Sequence, residues 1–148
     1  AVQAASPLVN VPVKQQAGRF AVLRHDHPFL HWDLLLEDGA EAATWRLPRQ
    51  PVFGEPIAAE LLAPHRLMYL SYAGPVSGGR GHVSPLAAGT WQQLSAGNLS
   101  AAFNDLQPLL QIRLDGWREC AAAALCCTAD NRCFWIFAEA ADQRLMPT

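Results

Sequence analysis

Lysine is almost missing from this chain of 148 residues: Lys14 is the only one, and the other ten of its 11 basic residues are arginines. Charged residues of both signs make up only 16%, and they sum to a formal −2. A broad, salt-driven grip on a long nucleic-acid backbone needs many cations on one surface, so the composition excludes that mode and leaves room only for a local basic patch. Long apolar runs are lacking as well. The stretch Ala121 to Cys127 is among the longest, far short of the roughly 20 residues that cross a bilayer as a helix. Residues 1–7 show neither the basic start nor the apolar stretch of a secretory signal. These absences lead to the expectation of a cytoplasmic protein with no membrane partner.

Metal-knuckle spacings of cysteine are absent too. Cys120, Cys126, Cys127 and Cys133 lie six, one and six positions apart, which matches neither paired C-x-x-C motifs nor the common zinc patterns. They read as free buried thiols. No glycine-rich loop ends in GK[ST]; Gly78-Gly79-Arg80-Gly81 offers amides and a guanidinium to an anion without that ending, and as a plain surface turn it needs no ligand. What is present is an ordinary globular share of hydrophobic residues, 51%, at a length that buries a sizeable core without disulfides.

Residues 1–18, with Pro7 and Pro12 among small and polar side chains, read as an extended N-terminal arm, and 19–148 as a single domain. Residues 19–24 (RFAVLR) and 31–37 (HWDLLLE) have strand character, Asp38-Gly39 signals a tight turn, and 43–47 (ATWRL) supplies the returning strand. Pro48, Pro51 and Pro56 mark an irregular connection that the middle of a sheet would not tolerate. Residues 57–62 fit strand or helix equally. Gly89-Thr90-Trp91 opens a further strand, residues 98–110 carry helical spacing, and 109–114, 117–128 and 132–138 read as three strands with polar turns between them. The expectation is a mainly β protein: a small closed or partly open antiparallel β-barrel with one short helix.

The strongest chemical signal is the run His25-Asp26-His27-Pro28-Phe29-Leu30-His31-Trp32-Asp33, which holds three of the chain's five histidines. On a strand, His31 and Asp33 project from one face, where an imidazole nitrogen and a carboxylate can meet one ion. His25 arrives from before the Pro28 turn, and His27 is an alternative third ligand. Two imidazoles and a carboxylate leave positions open on a transition metal, which suits polarisation of a phosphoryl oxygen. The same residues serve equally well as hydrogen-bonding groups at a hairpin. His65 and Tyr69, four apart, share a face and can contact phosphate or pack at a core edge.

These residues, in this order, resemble the 3′-phosphoesterase domain family of bacterial DNA ligase D. The resemblance rests on Arg19 to Asp26 leading into His25-Asp26, on His31-Trp32-Asp33, on Trp45 with Pro48, on His65 and Tyr69, on Gly74, on Gly89-Thr90-Trp91, on Leu114-Asp115-Gly116 and on Phe134-Trp135-Ile136. It spans most of the chain. It implies a small β-barrel and a manganese-dependent enzyme (zinc or cobalt being the other candidates) that removes ribonucleotides or phosphates from nucleic-acid 3′ ends in DNA repair. His25, His31 and Asp33 would hold the metal, with His65 and Tyr69 catalytic at the scissile phosphate.

The chain departs from that family where its phosphate-binding arginine belongs, because Leu35 occupies the position. Leu23 stands for a glutamine and Ala138 for a lysine, and residues 76–81 shorten a longer loop. Arg24 and Arg80 are the candidates for phosphate binding in its stead. The departure opens an alternative, a metal-containing module that binds DNA ends or a repair protein without chemistry.

Overall fold

The structure, a computed structural model, describes residues 12–94, 108–118 and 120–139. Alternating side chains and tight turns produce a run of antiparallel strands: β1 (Ala17–His25), β2 (His31–Asp38) and β3 (Glu41–Leu47), then β4 (Ile57–Ala58) and β5 (Glu60–Arg66). A single 3-10 turn, Leu67–Leu70, follows, then β6 (Gly74–Pro75), β7 (His82–Gln93), β8 (Pro108–Asp115), β9 (Cys120–Cys127) and β10 (Cys133–Glu139). The strands form one sheet in the order β4-β10-β9-β8-β7-β1-β2-β3-β5, with β6 paired to β7. Its edges, β4 and β5, are consecutive in the chain with only Ala59 between them. The sheet therefore curls until its edges neighbour one another, and it stays open because they do not pair. The mainly β, partly open reading holds.

The ambiguous segment 57–62 resolves as strand on both sides of Ala59, whose amide donates to the Cys133 carbonyl at 2.9 Å. The helix expected over 98–110 lies outside the described residues as far as 107. Its last three residues belong instead to β8, which opens on Pro108, a place where a strand tolerates a missing N–H. Among the described residues no helix is long and apolar enough to cross a membrane. The arm expected over 1–18 is described from residue 12, and there it is tied down. Val13 is buried, and the amides of Lys14 and Gln15 donate to Asp38 Oδ1 at 2.9 and 3.0 Å.

The concave face of the sheet carries one core and the outer face two smaller ones, one of them formed by Ala122, Ala124, Cys126, Ile136 and Ala138 of β9 and β10. The concave interior holds the large side chains, among them Phe20, Trp45, Trp91, Trp135 and Phe137, with Trp45 meeting Trp135 edge to face at 5.3 Å. On the outer face of β1, β2 and β3, Ala21, Leu23, Leu35 and Ala42 are covered by Leu70, Val76 and Val83 from the 3-10 turn and the chain after it. The site described below lies beside this smaller core.

The cysteines correct the reading of four free thiols. Cys127 and Cys133 face one another across β9 and β10 and form a disulfide, because the turn at 128–132 brings two positions six apart into direct register. Cys120 and Cys126 are free and buried. Burial pushes the Cys120 thiol up to about 12 and the Cys126 thiol up to about 11, so both pack as neutral apolar groups at neutral pH.

Candidate metal centre

The β1–β2 hairpin sets His25 directly across from His31, and Leu23 across from Asp33. Directly opposed residues of an antiparallel pair share a face, so His25, His31 and Asp33 gather on the outer face of the sheet. One ligand atom from each lies within 4.8 Å of the others. His27, the alternative ligand, lines the same cavity but stands outside this group, its ring 6.5 Å from that of His25.

Hydrogen bonds fix which nitrogen of each imidazole is free. His31 Nδ1 donates to the Phe29 carbonyl at 2.9 Å, which in the neutral imidazole leaves Nε2 as the ligating nitrogen, 3.3 Å from Asp33 Oδ2. His25 Nε2 donates to the Arg80 carbonyl at 2.8 Å, which leaves Nδ1 bare and 3.8 Å from the same oxygen. Outer hydrogen bonds of this kind select the tautomer of metal-binding histidines. Asp33 is only 2% exposed, and its Oδ1 has no hydrogen-bond partner. His31 Nε2, His25 Nδ1 and Asp33 Oδ2 thus converge in a buried place, where a proton on an imidazole or a bound cation offsets the carboxylate charge. Ligands bound at about 2.0–2.2 Å stand roughly 3–3.5 Å apart around an ion; the His31–Asp33 and His25–Asp33 spacings, 3.3 and 3.8 Å, come near this, while the whole group spreads over 4.8 Å. The group can hold a metal ion.

The loop joining β1 to β2 is anchored to the start of β7. Asp26 Oδ1 accepts from the His82 amide at 2.7 Å, and this hydrogen bond is the main reason the Asp26 carboxyl sits below its usual range. Gly81 makes the approach feasible: its φ is +79°, and a Cβ there would lie 2.3 Å from Asp26 Oδ1 and 2.6 Å from His27 Cβ.

A cavity of about 380 Å³ opens over the metal group, lined also by His65, Tyr69, Arg46, Arg66 and Arg80. His65 reaches it through a change of register. Arg46 faces Glu60 and Thr44 faces Leu62, but a bulge between Ala42 and Thr44 then pairs Ala42 with His65. Without that extra residue Pro64 would stand beside Ala42 and His65 would turn to the opposite face. His65 Nδ1 donates to the Ala63 carbonyl at 3.2 Å, leaving Nε2 as the basic nitrogen, and its ring meets Tyr69 edge to face at 6.1 Å. Pro64 is accommodated because β5 is a sheet edge.

Arg24 and Arg80 part company. Arg24 lies on the exposed opposite face of β1 and does not line the cavity. Arg80 does, but its Nε and Nη2 donate to the carbonyl and hydroxyl of Ser77 at 2.7 and 3.0 Å, while its carbonyl holds His25. Leu35 is fully buried beneath the outer core. The side chain that stands next to Asp33 on the cavity side is Arg46, on the neighbouring strand. In the sequence it is one of ten arginines; the signal for it is the β2–β3 register, which a hairpin closed at 39–40 sets.

Comparison with protein-family models and with curated proteins found no match.

Proposed function

We propose that this protein is a divalent-metal-dependent phosphoesterase that acts on nucleic-acid 3′ ends, removing a 3′ ribonucleotide or a 3′ phosphate during DNA repair, with manganese as the metal. The observation that carries the reading is the convergence of two bare imidazole nitrogens and a buried, half-unpartnered carboxylate at the floor of a cavity lined by arginine, histidine and tyrosine. The ordered sequence resemblance to the DNA ligase D phosphoesterase family supports it independently. A bound divalent ion would supply charge stabilisation to a phosphoryl oxygen and acidity to a water.

The chain's own groups do the rest. His25, His31 and Asp33 orient the ion, and the carbonyls of Phe29 and Arg80 keep both imidazoles in the ligating tautomer. His65 Nε2 would take or return a proton at the ester, and the Tyr69 hydroxyl can donate to a phosphate oxygen. Leu35, where the family places its arginine, favours the second reading, a metal-containing module that binds a DNA end or a repair partner without turning it over.

A primer strand ending in a ribonucleotide or a 3′ phosphate decides between them. With Mn²⁺, the wild type is expected to shorten or dephosphorylate the strand. His31→Ala should abolish this, and His65→Ala should slow it roughly 100- to 10,000-fold, the usual worth of a positioned acid or base. Product formed equally by all three proteins would refute the site. Mn²⁺ and strand binding without product would establish the module instead.

A further inference from the structure

We infer that Arg46 is the phosphate-binding residue of this cavity, standing in from β3 for the guanidinium that Leu35 cannot provide. The inference rests on the phosphoesterase reading above and names the group that would grip the ester.

Four observations place it. First, Arg46 is the direct cross-strand neighbour of Asp33, so it shares the outer face with the metal group and lines the cavity above it. Second, its charge is unspent. It is flanked in register by Asp33 on one side and Glu60 on the other, yet it takes part in none of the ion pairs among the described residues. The Asp33 carboxylate is instead turned to the histidines. Third, its Nε is buried with no hydrogen-bond partner, a costly arrangement for a charged donor unless an acceptor arrives. Fourth, the guanidinium lies over the Phe29 ring at 5.4 Å. Because the Phe29 carbonyl also holds His31, one residue positions both the arginine and a metal ligand.

The charges suit a phosphate ester. Asp33 leaves a divalent cation with net +1, and Arg46 brings the pair to +2, the charge that a phosphate monoester dianion cancels. Arginine's planar fork donates two parallel hydrogen bonds to such a group. Arg80 carries the same chemistry, but its Nε and one Nη2 donor are already engaged by Ser77.

The test is calorimetric titration of inorganic phosphate, which cannot be turned over, into wild type, Arg46→Gln and Arg46→Lys, each metal-free and Mn²⁺-loaded. Mn²⁺ affinity is measured alongside. Expected is phosphate binding by the wild type that weakens roughly 10- to 100-fold in Arg46→Gln, the worth of a charged or bidentate hydrogen bond, with Arg46→Lys between them. Mn²⁺ affinity should hold or tighten in Arg46→Gln, since a cation beside the site is removed; a merely structural role would lower both affinities together. Equal phosphate affinity in wild type and Arg46→Gln, no phosphate binding by the wild type in either state, or a parallel loss of Mn²⁺ and phosphate overturns the inference. Failure to bind Mn²⁺ strikes the proposed function alone, because the metal-free titrations still report on Arg46.

Discussion

Single side chains on one face of β2 divide the labour of this site. His31 and Asp33 belong to the group that can hold a metal ion, and Leu35, two positions on, is fully buried under the 3-10 turn and the loop that follows it. That burial explains why an arginine is not simply missing at Leu35. The cover formed by Leu70, Val76 and Val83 needs an apolar partner there, and the cation enters from β3 instead. Leu35→Arg is therefore expected to destabilise the protein by about 3–5 kcal/mol, as an uncompensated buried charge does, without raising activity. Urea unfolding followed by tryptophan fluorescence measures this. Stability within experimental error of the wild type would show that the outer core is not packed as described.

At the scale of elements, two devices shape the sheet. Gly89 of β7 and Gly116 after β8 let two backbones pass so closely that a Cβ on Gly89 would lie 1.9 Å from the Asp115 carbonyl oxygen. The Gly89-Thr90-Trp91 and Leu114-Asp115-Gly116 motifs that carried part of the family resemblance thus meet where β7 pairs with the end of β8, outside the metal group. The second device is the Cys127–Cys133 disulfide, which closes the β9–β10 hairpin across a separation of six residues. A loop this short constrains the unfolded chain modestly, so reduction, or Cys133→Ser, is expected to cost about 2 kcal/mol and to leave Mn²⁺ binding unchanged, since β9 and β10 contribute nothing to the site. Thermal unfolding with and without reductant reads the first expectation, and metal titration of the reduced protein the second.

For the whole molecule, a cation held at the buried Asp33 would couple folding to metal binding. Ligation links two strands of a single cooperative sheet, so a metal bound only by the native state should raise global stability by about 2.7 kcal/mol at a hundredfold excess over its dissociation constant. Asp33→Asn should abolish that gain. In metal-free protein the same substitution should change stability less than it does with Mn²⁺ bound, because Asp33 then keeps only its contacts with His31 and His25. Unfolding midpoints of both proteins with Mn²⁺ and with a chelator supply the four values needed. An equal Mn²⁺ response in Asp33→Asn would remove the carboxylate from the metal site.

The sequence by itself determined what is local. Period-two alternation put His31 and Asp33 on one face, the turn at Asp38-Gly39 defined the β2–β3 hairpin, and the crowding of histidines announced the metal group. Interactions between neighbours in the chain suffice for all three. Only the tertiary structure decided how distant segments meet that face. The carbonyl of Arg80 selects the His25 tautomer, one extra residue in β5 opposite Ala43 turns His65 toward the cavity, and register places Arg46 beside Asp33. The same register, at the far side of the sheet, pairs Cys127 with Cys133. The physical reason is that strand alternation has a period of two, so a single inserted residue reverses which side chains face the site, and where such an insertion falls is set by packing of the entire curled sheet.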